Sequence, residues 1–185
     1  MDNVVAIDGP AGAGKSTVAR LLAQKLDLLY VNTGNLYRAV AWAALRADED
    51  LDALRPEFLK TLAVEPLPDG VLVNGETLGA ELRAPEIAAA ASRVSRQSAV
   101  RDFLMPVQRD AAKRRWIVME GRDIGTVVFP GAKAKFFVTA SVEERARRRL
   151  AQQGETAAGA TLESVISEIA ARDRQDSTRV VARRP

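Results

Sequence analysis

Gly9-Pro10-Ala11-Gly12-Ala13-Gly14-Lys15-Ser16 is the stretch whose reading decides the fold. It fits G-x-x-x-x-G-K-[ST], the spacing of a loop that wraps a polyphosphate. The preceding Asn3-Val4-Val5-Ala6-Ile7-Asp8 reads as a short buried strand. Beyond it, Val18, Leu21, Leu22, Lys25 and Leu26 recur at helical spacing with alanines between them, which predicts a helix facing the core along that apolar stripe. Each residue type has a physical task. Glycines permit positive φ and carry no Cβ, so backbone N–H groups can turn in on an anion. The helix opening near Ser16 and Thr17 aims its positive end at the same place. Lys15 supplies charge for the β- and γ-phosphates, and the Ser16 hydroxyl is placed to ligate Mg²⁺. The plain alternative is a glycine-rich turn that fits by accident, and the strand-before, helix-after context argues against it.

Composition agrees with a soluble α/β enzyme. The 185 residues suit one domain with room for a small insertion. The sequence has no apolar run long enough for a bilayer and no recognisable signal peptide, so a cytoplasmic location is expected. With no Cys there are no disulfides or thiolate metal sites, and with no His the commonest general base and zinc ligand are missing. Phosphoryl transfer needs neither, because it runs on positioning and electrostatics. The net charge of +3 consists largely of arginine, while aromatic residues are few and no stacking platform is visible. Small-nucleotide phosphates therefore fit better than nucleic acid, and no nucleic-acid or membrane partner is expected.

Along the chain a second short strand reads at 28–31, and Thr33 is placed to cap a helix running to about residue 47. From 48 to 96 the texture changes. Pro56, Pro66, Pro68 and Pro85 interrupt it, and 71–78 reads as a hairpin turned at Asn74-Gly75. That segment is expected to be an insertion into a core made of 1–47 and 97–185. Helices are expected at 85–95, 100–113, 143–153 and 162–174, and strands at 116–120 and 134–139. The alternation implies a parallel sheet with helices on both faces.

A phosphate loop alone does not separate a kinase from a GTPase switch or a motor ATPase. The guanine-reading Asn-Lys-x-Asp is missing, which argues against the switch. Glu120 has two readings, an acid near Mg²⁺ or an ordinary strand end. Three further segments carry more information: Asn32-Thr33-Gly34-Asn35-Leu36-Tyr37-Arg38; Glu120-Gly121-Arg122-Asp123-Ile124-Gly125-Thr126-Val127-Val128-Phe129-Pro130; and Arg172-Asp173-Arg174-Gln175-Asp176-Ser177-Thr178-Arg179. With Asp8-Gly9-Pro10, and in this order, they resemble the bacterial cytidylate kinases, which phosphorylate CMP and dCMP.

The resemblance implies a P-loop kinase fold in three layers, with a monophosphate-binding insertion and an arginine-bearing lid at about 145–179. It implies ATP as donor, Mg²⁺, and a monomer acting on small nucleotides. Residues 9–17 with Arg145 and Arg148 fall at donor-binding positions, and Lys15, Arg122, Arg145 and Arg149 at positions serving the transferring phosphoryl group. Thr33 falls near the acceptor nucleotide. Arg38, Arg122 and Arg179 fall where the acceptor phosphate is held, Ser92, Arg101 and Asp123 where cytosine is read, and Arg172 and Asp176 where the sugar is contacted. The chemistry suits these types. A carboxylate such as Asp123 accepts from cytosine's exocyclic amine and an arginine such as Arg101 donates to its N3 and O2, whereas uracil would face the carboxylate with a carbonyl. Guanidinium forks clamp phosphates bidentately.

Residue by residue, plainer readings stand beside these. Arg122 and Asp123 could form a local ion pair, Arg145, Arg148 and Arg149 a solvated helix face, Ser92 a small packing residue, and Arg172 with Asp173 surface charges at a helix end. The sequence departs from the resemblance twice. Ala11 stands where the family often has Ser, which removes one hydroxyl. The chain also stops at Pro185, where relatives continue with a further strand and helix, so a truncated or partial chain with an unpaired sheet position is expected. Rival readings are a small P-loop kinase for UMP, AMP or another metabolite, a nucleotide-switched binding protein, and a degenerate P-loop protein.

Overall fold

A computed structural model describes residues 3–68, 70–113, 115–152, 156 and 159–177, the side chains of Gln175 and Ser177 excepted. The chain divides into two compact units, one made of Met1–Tyr30 with Arg115–Pro185 and the other of Val31–Arg114.

The first unit is built on parallel strands. β1 (Val4–Asp8) is buried along its whole length, as a strand covered on both faces must be. It pairs in parallel with β6 (Ile117–Gly121), Ile7 opposite Glu120, and with β7 (Ala134–Phe137), Ile7 opposite Phe136. β2 (Leu29–Asn32) completes the sheet in the order β2-β6-β1-β7. α1 (Lys15–Lys25) leaves the end of β1, while α6 (Val142–Ala151) and α7 (Leu162–Ser177) pack on each other around Ala146, Val165 and Ile169. The expected α/β class with a parallel sheet flanked by helices is what the chain forms.

The contact face of α1 differs from the expected stripe. Val18, Leu21 and Leu26 are 47%, 61% and 52% exposed, whereas Lys15, Ala19 and Ala23 are buried. Ala19 and Ala23 join Val5, Ile7, Tyr30 and Val118 in the core. Small side chains let the helix axis approach the sheet closely, and the larger residues are left outside. Residues taken as gap-fillers are the contact face.

The second unit contains α2 (Thr33–Arg46), α3 (Pro56–Lys60), an antiparallel sheet, a 3₁₀ turn at Ala80–Arg83, α4 (Pro85–Val94) and α5 (Ser98–Ala111). Its sheet has the order β3 (Val64–Leu67), β4 (Gly70–Val73), β5 (Glu76–Leu78). The hairpin turns at Asn74-Gly75 as expected, with φ of 48° and 87°, the two left-handed residues of a tight primed turn. β3 was not anticipated because Pro66 reads as a breaker. It is an edge strand, where a missing N–H is tolerated. Pro56 and Pro85 likewise open helices rather than break the chain. Thr33 is not the cap of α2 but its first helical residue, buried, with extended Asn32 before it. Leu36, Val40, Val71, Leu82, Val100 and Leu104 belong to one apolar cluster in this unit.

Candidate active site

The phosphate loop begins where β1 runs out of room. Gly9 has φ +150°, and a Cβ there would lie 2.0 Å from the Val138 carbonyl oxygen. Only glycine fits beside that backbone, which is itself tied down by the Val138 N–H donating to the Asp8 carbonyl at 2.8 Å. At the far end of the loop Gly14, in the left-handed region, turns the chain into α1, so Lys15 is the first residue of the helix. Its Nζ donates to the Pro10 carbonyl at 2.8 Å.

Lys15 is only 9% exposed. Burial, and next the Arg122 guanidinium, push its ammonium down to about 7, while the charges of Glu120, Asp8 and Asp176 pull the other way. The site therefore holds a cation that an arriving polyanion would stabilise. Asp8 sits at the end of β1, and its two carboxylate oxygens accept from the Ile124 and Gly125 N–H groups, each at 2.8 Å. Burial raises the Asp8 carboxyl, and those two donors act against the rise. Residues 124–128 make one π-type turn, with the Val128 N–H bonded to the Asp123 carbonyl and the Phe129 N–H to that of Ile124. Asp8 thus fixes the start of the turn that follows directly on Arg122 and Asp123. Glu120, buried on β6, accepts from the Tyr30 hydroxyl.

Three guanidinium groups take alternate carbonyls of the loop. Arg122 Nη1 donates to Gly9, Arg145 Nη1 to Ala11 and Arg148 Nη1 to Ala13, each at 3.3 Å. The three differ in what else holds them. Arg122 faces Asp176 of α7 at 3.4 Å. Arg145, with its side chain 4% exposed, also donates through Nε to the Ala140 carbonyl at 3.1 Å and through Nη2 to Asp173 at 2.6 Å. The other Asp173 oxygen is buried and has no hydrogen-bond partner among the described residues. Arg148 is half exposed and paired with Glu144 on its own helix, and Arg149 lies 3.5 Å from Glu168. The α6 arginines are therefore not a uniformly solvated face, and Asp173 is not a surface charge.

The first unit thus brings together residues 9–17, Arg122, Asp123, Arg145, Arg148 and Asp176, with Arg172 one helical turn before Asp176 on α7. Ser16 and Thr17 lie exposed on the first turn of α1. In the second unit Thr33 and Arg38 lie on α2, Ser92 on α4 and Arg101 on α5. Arg38 Nη1 donates to the Leu82 carbonyl at 3.2 Å, and the Ser92 carbonyl accepts from the Ser95 hydroxyl at 3.1 Å. Arg179 lies outside the described residues. Sequence reasoning missed Asp8, Tyr30 and Asp173. Only Asp8 carried a signal, as the acid directly before the loop. Among the described residues no cluster of three or more His, Cys, Asp or Glu could hold a metal.

A family model for cytidylate kinase matches residues 5–183. A cytidylate kinase of Desulforamulus reducens is 48% identical over 183 residues, covering 96% of this chain and 82% of the relative. One of Symbiobacterium thermophilum is 47% identical over 185 residues, and one of Thermosipho melanesiensis 45% over 178, both with the same coverage of each chain. Among solved structures, TT1252 from Thermus thermophilus matches with 22% identity and a TM-score of 0.45, over 95% of this chain and 84% of that one, a likeness too distant to carry a conclusion. With the phosphate loop, the buried Lys15 and the Glu120-Gly121-Arg122-Asp123 segment in one unit, and a family match running from β1 through α7, the chain belongs to the cytidylate kinase family.

Proposed function

We propose that this chain transfers the γ-phosphate of MgATP to CMP or dCMP, giving ADP and CDP or dCDP. The observation that carries this is the buried Lys15 behind a glycine loop, in a chain matched by the cytidylate kinase model from residue 5 to 183. The chemistry is in-line displacement by an acceptor phosphate that is already an anion, so general-base help is of little importance and charge neutralisation of great importance. Lys15 neutralises developing charge on the transferring group, which restores its own ammonium to full charge. The Ser16 hydroxyl, exposed at the first turn of α1, is the protein's ligand to the substrate-borne Mg²⁺. Arg148, the most exposed of the three arginines on the loop carbonyls, and Arg149 serve the donor phosphates.

For the acceptor, Arg38, Arg122 and Arg179 hold the phosphate, and Thr33 lies beside the nucleotide. Arg172 and Asp176 contact the sugar, and Ser92, Arg101 and Asp123 read cytosine. Asp123 is supported by its setting, since Asp8 locks the backbone just after it and so limits where its carboxylate can go. No helix among the described residues is long and apolar enough to cross a membrane. A monomer working in the cytoplasm belongs to the same reading, and gel filtration tests its size.

The test is ADP release with MgATP and each of CMP, dCMP, UMP, AMP or no acceptor. Stimulation by CMP and dCMP alone is the expected result. Equal stimulation by UMP would remove the cytosine-reading roles of Asp123 and Arg101, and stimulation by none would overturn the proposal.

A further inference from the structure

The arrangement of donors on the loop carbonyls gives Arg145 a task different from touching phosphate. In a planar trans peptide the C=O of one residue and the N–H of the next point in opposite directions. A guanidinium that grips the Ala11 carbonyl therefore turns the Gly12 N–H to the opposite side of the loop, and one on the Ala13 carbonyl does the same for Gly14. Arg122 grips the Gly9 carbonyl, but the next residue is Pro10, which has no N–H, so that contact orients no donor. Of the two that do orient a donor, Arg148 is half exposed and, besides its loop carbonyl, is paired with Glu144 of its own helix, whereas Arg145 is buried and, besides its loop carbonyl, is held by the Ala140 carbonyl and Asp173. Its fixed point on α7 is Asp173, 2.6 Å away and 28 residues along the chain.

We infer that Arg145, anchored by Asp173, is a positioning residue that sets the Ala11–Gly12 peptide plane so that the Gly12 N–H faces the donor phosphates. Asp173 is then part of the ATP-binding machinery without touching ATP. This rests on the kinase reading of the same loop. It differs from direct contact in one decisive respect. Were Arg145 a phosphate ligand, loss of Asp173 would release it towards the phosphates, and donor binding would hold or tighten. As a positioning residue it loses its anchor, and donor binding weakens.

The experiment compares wild type, Asp173→Ala, Asp173→Asn, Arg145→Ala and the double Asp173→Ala/Arg145→Ala variant. Equilibrium binding of ATP and of ADP, and KM for ATP and CMP, are measured on each. Asp173→Ala and Arg145→Ala are both expected to weaken ATP and ADP about tenfold and by the same factor, as a donor facing a phosphate common to both would. KM for CMP stays within twofold, and the double variant is no worse than the worse single one. Unchanged or tighter ATP binding by Asp173→Ala, or additive losses, overturns the inference. Asp173→Asn, which keeps one acceptor oxygen, is expected to fall between wild type and Asp173→Ala.

Wild-type protein gives a readout that needs no variant. On adding ATP, the Gly12 amide resonance shifts strongly while the Arg145 side-chain N–H resonances stay in place and protected from exchange. Movement of the Arg145 resonances with an unmoved Gly12 amide overturns the assignment. If wild type binds no ATP, it is the kinase reading that fails. If it binds ATP and Asp173→Ala binds it equally well, only the positioning role fails.

Discussion

The two units of this protein bury different kinds of side chain. Among its described residues, the unit that carries the phosphate loop buries five charged ones, Asp8, Lys15, Glu120, Asp123 and Arg145. Among the described residues the other has a single covered charge, the Glu49 carboxylate, which lies beneath the exposed Arg55 guanidinium that pairs with it. Its other buried polar groups are the neutral Thr33, Ser95 and Gln108, set in an apolar cluster that includes Leu36, Leu82 and Leu104. Removing a charge from water is unfavourable unless partners replace the lost hydration, and even then apolar packing would often be as stable. Charges concentrated in one unit, against one covered ion pair in the other, therefore mark where stability has been given up for chemistry. In the second unit the candidate acceptor arginines, Arg38 and Arg101, lie only partly buried on helices that the apolar cluster positions.

The sharpest test of that contrast is Lys15→Ala. Turnover should fall by about 10³-fold, the range lost with a well-placed transition-state donor, while the melting temperature is not lowered. Near-normal kcat in the ADP-release assay would end the catalytic assignment. Arg145→Ala should instead act on the fold as well, since it leaves Asp173 and two carbonyls without their partner. A loss of about 3–5 kcal/mol in urea unfolding is expected, against less than about 1 kcal/mol for half-exposed Arg148→Ala. Equal losses would show that burial is not what separates the two arginines.

In the other unit, Leu104→Ala should remove about 2–5 kcal/mol by leaving a cavity, and equally at pH 6 and pH 9, because no ionisable partner is involved. Arg38→Ala should raise KM for CMP about 10- to 100-fold with little change for ATP, as expected for one charge-assisted contact. An equal effect on both substrates would contradict its placement on the acceptor side.

The most specific effect is a dependence on pH. Lys15 has a folded pKa of about 7 against an ordinary value of 10.5, so between those values the unfolded chain binds more protons than the folded one. Stability contributed at this residue therefore rises with pH through that window. The difference in unfolding free energy between wild type and Lys15→Met should change in favour of wild type from pH 7 to pH 10, and stay level below pH 7. A level difference throughout would mean that Lys15 is fully charged in the empty loop. By the same linkage, ATP affinity should weaken by up to about tenfold per pH unit above 7, because binding must take up the missing proton.

Short-range features were legible in the chain. Residues 9–16 act as a contiguous unit whose spacing alone specifies a loop with a lysine at a helix start, and Asn74-Gly75 between alternating apolar residues specifies a hairpin turn. Where longer-range packing intervened the reading failed. α1 is apolar on two sides, and which side meets β1 and β6 depends on how closely a helix can approach a sheet, which favoured Ala19 and Ala23 over Leu21. Thr33 looked like a cap because capping is a local preference, yet the chain entered α2 one residue earlier than that preference suggests.

By itself the sequence determined the phosphate loop, the α/β alternation and the set of arginines available to a nucleotide, because spacing and backbone freedom are local properties. The tertiary structure alone decided which charges are buried and what holds them. Asp8 finds Ile124 at a separation of 116 residues, Tyr30 finds Glu120 at 90, and Arg145 finds Asp173 at 28. A side chain's hydration, and with it the proton affinity of Lys15 and the anchoring of Arg145, is set by residues that meet only when the sheet and helices have assembled.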